Sequence, residues 1–289
     1  MTERLADISA RIEGLRDLGA VVNAMKGMAA ARAHMARTQL GAVDSYAATI
    51  ARAMALILPK DPARFARNGP SDRSNHKPGL LVFCAEQGFA GAFSERMLDS
   101  FDSLDTEPDP ARLFLIGTRG LSIATARGLS PQWSAPMPSH THGLPKLADQ
   151  ITHAIYAAVA AGHIDALDVL YTGWHTGHAS VVRHRLFPLD LGDRPAGAMD
   201  RPLTQLADDT LIAALGQDYL NAQVCKAALH AFAAENEARM QAMSAAGSQI
   251  AQELETFQAT LRRVRQEAIT AEIIELGTGT QAGAGSGQR

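Results

Sequence analysis

The sequence predicts a mixed α/β protein in which a long antiparallel coiled coil of the N- and C-terminal segments carries a small domain inserted between them. Both ends of the chain are long, alanine-rich and free of proline, whereas the centre alternates strand-like and helix-like segments. At 1.5 Å per residue the terminal helices would be roughly 85 and 100 Å long, but a globule of this chain length has a radius of gyration of only about 19 Å. The two helices therefore pair with each other.

Composition and charge limit the classes of protein that fit the chain. Its 289 residues are 46% hydrophobic and 20% charged, which is typical of globular proteins and unlike disordered or fibrous chains. A formal net charge of −3 argues against nucleic acid as the main ligand, since binding a polyanion requires a dominant basic face. Cys84 and Cys225 lie far apart in apolar surroundings, which favours buried, reduced thiols over a disulfide or a zinc site.

Residues 1–58 are predicted to form the first coiled-coil helix. Apolar side chains recur there at steps of three and four, at Leu5, Ile8, Ile12, Leu15, Leu18, Val22, Met25 and Met28. The opening residues alternate charged and aliphatic side chains, unlike a signal peptide, and no run approaches the ~18 apolar residues of a membrane span, so we expect a cytoplasmic protein. Residues 59–78 contain four prolines and scattered charge, and are predicted to be a flexible linker.

Residues 79–202 are predicted to form a small, partly parallel, Rossmann-like α/β domain. Four short apolar runs have strand length: Gly79–Ala85, Ala111–Gly117, Leu167–Gly173 and Ser180–Leu189. Helical patterns fall between them, at about Gly91–Leu104, Thr118–Arg127 and Leu144–Ala161. Strands that alternate with helices favour parallel pairing, because a parallel connection requires a crossover.

Residues 203–276 are predicted to form the second coiled-coil helix. Its apolar residues step by four and three, the spacing of a seam against another helix: Ile250, Leu254, Phe257, Leu261, Val264 and Ala268. Residues 277–289 are rich in glycine and are predicted to be a disordered tail.

No pattern in the sequence predicts a catalytic, cofactor or metal site. Gly88 and Gly91 follow a strand, but their spacing fits neither phosphate-binding glycine motif, which favours a structural turn. The histidine pairs His140/His142 and His175/His178 lack cysteine or carboxylate ligands at zinc spacing, which favours surface loops. No G-x-S-x-G nucleophile motif is present.

Two acid-free basic clusters lie on the predicted helices. The first contains Lys26, Arg32 and Arg37, and the second contains Arg262, Arg263 and Arg265. Taken alone, such clusters are usually solvated helix faces.

Motifs at both termini give the chain a specific resemblance. Residues 24–32, Ala-Met-Lys-Gly-Met-Ala-Ala-Ala-Arg, and residues 235–243, Glu-Asn-Glu-Ala-Arg-Met-Gln-Ala-Met, resemble the terminal helices of the gamma subunit of F-type ATP synthases. Residues 264–273, Val-Arg-Gln-Glu-Ala-Ile-Thr-Ala-Glu-Ile, resemble the end of that family's last helix. The central loop, residues 85–94, keeps two glycines and a phenylalanine of the family's S-D-R-G-L-x-G-x-F-N pattern but lacks its Asp-Arg pair. The chain thus resembles a diverged relative, such as one from an alternative ATPase operon.

The resemblance implies a non-catalytic rotor shaft without a cofactor. Its coiled coil would turn inside a ring of alpha and beta subunits, while the α/β domain and lower coil contact the epsilon subunit and the membrane c-ring at the cytoplasmic face of the bacterial inner membrane. By the same resemblance, eight residues are expected to contact the ring: Met25, Lys26, Arg32, Arg239, Arg265, Gln266, Thr270 and Glu272. A coiled-coil adaptor and an α/β enzyme with helical extensions remain the alternatives.

Overall fold

The computed structural model describes residues 2–57, 77–103, 109, 112–175, 178–188 and 203–284. Its helices and strands are α1 Thr2–Ile57, β1 Pro78–Phe83, α2 Phe93–Asp99, β2 Leu113–Ile116, α3 Thr118–Ala126, β3 Trp133–Ala135, α4 Leu144–Ala160, β4 Ala166–His175, β5 His178–Phe187 and α5 Asp208–Ala284. The predicted fold class of two long terminal helices around an α/β domain is confirmed. Most of the predicted linker, residues 59–76, lies outside the described residues.

The chain divides into two units. The first contains Met1–Met28 and Met240–Arg289, and the second contains Ala29–Arg239. This division differs from the sequence-based one at residues 79 and 202, because the inner parts of α1 and α5 pack with the sheet.

The second unit is built on a five-stranded sheet in the order β3-β2-β1-β4-β5. β1 pairs in parallel with both β2 and β4, β2 pairs in parallel with β3, and β4 pairs antiparallel with β5. The four predicted strands are present within a few residues of their expected bounds. The sequence did not predict β3, whose three residues are too few to show a period-two pattern.

Helices cover both faces of this sheet. One face packs on α4 and α5 through a core that includes Phe83, Phe114, Ile151, Val224 and Phe232. The opposite face packs on α2 and α3 through Val82, Leu115, Met97, Leu98 and Ala124. β1 and β2 are buried on both faces, which explains why they read in the sequence as continuous apolar runs.

In the second unit α1 and α5 are joined by small buried residues and by ion pairs. Ala33 and Ala36 are 1% and 0% exposed. The Lys226 ammonium lies 2.6 Å from the Asp44 carboxylate, and Arg37 pairs with Glu237. The partner of each α1 residue lies earlier in α5 as α1 advances, so the helices are antiparallel.

The first unit repeats the antiparallel pairing. Gly19 packs at Ile250 and Gly247 at Val22, and the Arg11 guanidinium lies 5.3 Å from the centre of the Phe257 ring. The predicted seam residues of α5 are buried or partly buried, and Val264 is only 2% exposed. The pairing of Arg11 with Phe257 places the start of α1 near Gln266, so the last part of α5 extends beyond α1 within this unit.

The bounds of α5 differ from the prediction at both ends. The helix begins at Asp208 instead of residue 203, where two successive aspartates place negative charge in the first turn. It continues to Ala284, so residues 277–284 are helical and not a disordered tail. Helix extension adds one hydrogen bond per residue without a new nucleation cost, which offsets the poor helix propensity of glycine. Residues 285–289 lie outside the described part of the chain.

Among the described helices, α1 is long and apolar enough over Arg4–Ile57 to cross a membrane by length and composition, since one 18-residue window in it has a mean hydropathy of 1.2. The core helices of water-soluble proteins often share this property. Ile50 and Met54 are 6% and 3% exposed, and Asp44 is held by Lys226. One face of this part of α1 therefore packs within the second unit, while only 22% of the apolar window is buried.

Gly120→Ala should destabilise the protein by about 2–3 kcal/mol. A Cβ atom at Gly120 would lie 2.0 Å from Cys84 Cβ, and neither atom sits at the end of a flexible side chain. The matched control is Gly41→Ala, since no atom lies within 4 Å of a Cβ there, and alanine should raise helix stability by up to about 1 kcal/mol. Urea unfolding of the two variants makes the comparison. Equal stability would show that the close approach of α3 to Cys84, the residue after β1, is not rigid.

Candidate functional site

The loop between β1 and α2 is held at the carboxyl edge of the parallel strands by Glu86. Its carboxylate accepts hydrogen bonds from the Thr118 backbone N–H at 2.9 Å, the Thr118 hydroxyl at 2.8 Å and the Met137 backbone N–H at 2.8 Å. A carboxylate here also interacts favourably with the N-terminus of α3. Although the family's Asp-Arg pair is absent, Glu86 supplies a carboxylate at the position of the aspartate.

Two residues of α5 bind the same loop from the opposite side. Arg239 lies 2.5 Å from a Glu235 carboxylate oxygen and donates hydrogen bonds to the carbonyls of Gln87 at 3.4 Å and Gly88 at 3.3 Å. Glu235 accepts hydrogen bonds from the backbone N–H groups of Glu86 at 3.2 Å and Gln87 at 3.4 Å. We call Glu235, Arg239 and loop residues 86–88 the loop clamp.

The loop clamp is buried. Glu235 and Arg239 are 3% and 7% exposed. Burial raises the pKa of the Glu235 carboxyl, and the neighbouring Arg239 charge and hydrogen bonds offset only part of that increase. Glu235 and Arg239 therefore each need the other, because either charge alone would be buried without a partner.

Arg239 is consequently not an accessible ring contact in the isolated chain. The resemblance implied a role at the ring surface, but the guanidinium is occupied by Glu235, Asn236 and the loop carbonyls. The sequence did not predict this burial, because the loop that covers Arg239 lies about 150 residues away along the chain.

Next to the clamp, Phe89 presents an aromatic side chain to solvent. It is 69% exposed and adopts a positive φ of 61°. Bulky residues rarely occupy this left-handed region, and the strain costs of order 1–3 kcal/mol. An exposed aromatic held in a strained turn indicates a contact surface more than a folding role.

The expected contact residues of α1 lie in the first unit, except for Arg32. Met25 and Lys26 are partly buried, and the Lys26 ammonium donates to the Ser244 hydroxyl at 3.2 Å. Arg32, in the second unit, is also partly buried. Lys26 therefore helps to join α1 to α5 and presents only part of its side chain outward.

An apolar face of α1 was not recognised from the sequence as exposed. Leu18, Val21 and Met28 are 50%, 56% and 54% exposed. With the partly buried Met25 they are spaced by three, four and three residues, so they share one face of the helix. We call these four residues the outer face of α1. Their period resembled that of the seam, and only burial separates the two faces: Ile12 and Val22 are 5% and 8% exposed, and Val22 packs at Gly247 of α5.

The expected contact residues near the end of α5 are all exposed. Arg265, Gln266, Thr270 and Glu272 have solvent-accessible side chains, and the Thr270 hydroxyl donates to the Gln266 carbonyl at 2.8 Å. Ile269, Ile273 and Ile274 are 56%, 64% and 60% exposed. Three exposed isoleucines beyond the start of α1 form an apolar surface suited to burial by another protein.

The histidine pairs and Cys84 form no reactive site in the described part of the chain. His140 and His142 are exposed, as is His178. Within the described ranges no group of three or more His, Cys, Asp or Glu residues is placed to hold a metal ion. Cys84 is buried, and burial raises the pKa of its thiol to about 12, so it remains a protonated core residue.

Comparisons with known sequences agree with this architecture. The family model described as ATP synthase matches residues 4–282. The ATP synthase gamma chain of Moorella thermoacetica is 26% identical over 286 residues, which cover 96% of this chain and 98% of the relative. The ATP synthase gamma chain of Gluconobacter oxydans is 26% identical over 293 residues, with 96% and 99% covered.

Solved structures share the fold. A chain of the Euglena gracilis mitochondrial ATP synthase, in the OSCP/F1/c-ring structure of rotational state 3, has a TM-score of 0.66 at 14% identity and covers 100% of this chain and 98% of its own. A chain of the rotor of the same enzyme in rotational state 1 has a TM-score of 0.64 at 12% identity, with 93% and 100% covered.

Proposed function

The chain belongs to the ATP synthase family, among relatives that are gamma chains, and we propose that it is the central rotor shaft of an F-type ATP synthase. In this role it couples rotation driven by transmembrane ion flow to ATP synthesis or hydrolysis in a ring of alpha and beta subunits. The match over nearly the whole chain carries this proposal, because an unrelated coiled-coil adaptor or an α/β enzyme would not share it.

The exposed apolar surfaces of the helices support the proposal that a ring of other subunits encloses them. The outer face of α1 and the isoleucines near the end of α5 leave large apolar side chains in water, where each is unfavourable. A surrounding ring would bury them. Arg265 and the neighbouring Arg262 and Arg263 are exposed, so their charge is available to acidic loops of that ring.

The coupling requires no reactive group in this chain, and we assign it no catalytic residue. A shaft that contacts three otherwise equivalent catalytic subunits differently gives each a different conformation and nucleotide affinity. Turning the shaft passes these states around the ring, which is coupling through differential contacts. Among its own residues, the loop clamp contributes by fastening α5 to the β1–α2 loop, so that a turning force on the α/β domain reaches the helix.

The proposed partners follow from this role. The alpha and beta subunits enclose the helices, and the epsilon subunit and membrane c-ring contact the α/β domain and the lower helices. The assembly would then lie at the cytoplasmic face of the bacterial inner membrane as a peripheral complex.

Co-expression with alpha and beta subunits tests the proposal. We expect a stable complex of three alpha, three beta and one copy of this chain, whereas the chain alone should be poorly soluble because its apolar surfaces stay exposed. Met28→Asp, on the outer face of α1, should reduce incorporation by about tenfold or more, since a charge there would be buried against the ring.

The matched control is Asn23→Asp, which adds the same charge to an exposed position of α1 off the outer face. Its incorporation should stay within about twofold of the unmodified chain. Quantitative gel analysis of purified complexes gives the ratio. A soluble, sharply melting chain with no affinity for alpha and beta subunits would overturn the proposed function.

A further inference from the structure

Strand β5 forms an open edge of the sheet. It is ten residues long and pairs with β4, and no other strand pairs with it among the described residues. The opposite edge, β3, has only three residues. A long edge strand presents unpaired backbone N–H and C=O groups, which are a template for another strand.

Part of β5 also lies beyond the body of the sheet. β1 pairs with β4 only through Leu170, whereas β4 and β5 continue together as far as His175 and His178. Beyond Leu170, the β4–β5 hairpin is therefore a two-stranded ribbon. A two-stranded ribbon is only marginally stable in water unless a third strand or another surface supports it.

Two arginines of β5 are fixed on one face of this edge. Arg183 donates to an Asp168 carboxylate oxygen through Nε at 2.8 Å and Nη2 at 2.6 Å, and Arg185 pairs with the same carboxylate. Asp168 is 3% exposed, but the arginine side chains are 44% and 45% exposed. Burial alone would raise the pKa of Asp168, yet hydrogen bonds and charge from Arg185 and Arg183 hold it below its usual value.

The charge at this edge is positive. One carboxylate faces two guanidinium groups, and each guanidinium carries five N–H donors, more than its bonds to Asp168 use. Because Asp168 already orients the two side chains, a second acidic group would bind them with little further loss of rotamer freedom. Val181, 41% exposed, lies two residues from Arg183 on the same face of the strand.

We propose that an extended, acidic segment of another subunit of the same assembly adds to β5 as a sixth strand, with its carboxylates on Arg183 and Arg185. This inference rests on the proposed function for the existence of that assembly. The backbone edge supplies affinity and the arginine pair supplies specificity. The same positive charge opposes pairing of β5 with β5 of a second copy.

The test places one negative charge on each face of β5 within the complete assembly. Val181→Glu sets a carboxylate beside the arginines, where it repels the acidic segment and competes for the guanidinium groups. His184→Glu is the matched control, since it adds the same charge to an exposed position on the other face. We expect Val181→Glu to lower retention of one subunit other than alpha and beta by about tenfold, and His184→Glu to lower it less than about twofold.

Hydrogen exchange of the backbone amides of β5 in the unmodified assembly gives an independent measurement. Strand addition should slow exchange in residues 178–187 by at least about tenfold relative to the isolated chain. The same difference is expected relative to an assembly without the subunit whose retention Val181→Glu lowers. Equal retention of all subunits by the two variants, or unprotected β5 amides in the assembly, would overturn the inference. Failure to form an alpha and beta ring even with the unmodified chain would instead count against the proposed function.

Discussion

Arg239→Met should destabilise the second unit by about 3–5 kcal/mol, the cost of leaving one member of a buried ion pair without its partner. Glu235, 3% exposed, would lose the guanidinium that lies 2.5 Å from its carboxylate. The carbonyls of Gln87 and Gly88 would lose their donors as well. Chemical unfolding of the α/β region, followed by circular dichroism, measures the loss.

The pH dependence of this variant has a defined sign. The pKa of Glu235 is already raised by burial, and removal of Arg239 takes away the charge that opposes this rise. A raised pKa in the folded state contributes stability below the unfolded-state pKa, and that stability is lost as pH rises through the folded-state value. The damage from Arg239→Met should therefore be larger at pH 8 than at pH 5.

Two control variants separate the buried pair from ordinary charge loss. Arg37→Met removes an ion pair with Glu237 whose arginine side chain is 45% exposed, and should cost less than about 1 kcal/mol. The double variant Glu235→Gln, Arg239→Met leaves no buried charge and should recover part of the stability. Equal effects of Arg37→Met and Arg239→Met would mean that the loop clamp contributes no more than a surface ion pair.

Ending the chain after Thr260 should largely abolish assembly with the alpha and beta subunits. This truncation removes Val264 from the seam and the exposed Ile269 and Ile273, each of which contributes on the order of 1–2 kcal/mol when a partner buries it. Ring assembly and ATPase rate of the co-expressed complex measure the effect.

The matched truncation removes only Gly277–Arg289 and should lower assembly by less than about twofold. Residues 277–284 are helical, but the three glycines among them each cost about 1 kcal/mol relative to alanine, so this part of α5 adds little stability. The full-length double variant Ile269→Ser, Ile273→Ser should reproduce most of the loss without changing the length. If the short truncation proved as damaging as the long one, the end of α5 would itself be a functional element.

The sequence predicted the elements whose signal is local and repeated. The seam from Ile250 to Ala268 repeats every three or four residues, and the apolar run Gly79–Ala85 has the length and composition of a buried strand. The bounds of α3 and α4 were within about one residue of those expected, because Gly117 and Gly143 directly precede them. β3 was missed, since three residues carry no period.

The sequence by itself determined that two long helices flank an α/β domain, and the terminal motifs identified the family. Only the tertiary structure decided which faces of these helices are free. Met25 and Val22 are both apolar and close in sequence, yet Val22 is 8% exposed within the seam while Met25 is partly buried and belongs to the outer face. Likewise, Arg239 and Arg265 both lie in family motifs, but the first is buried against Gln87 and Gly88 and the second is exposed. The spacing of apolar residues shows which face of a helix a residue lies on. Whether that face is accessible depends on contacts with residues more than a hundred positions away in the sequence.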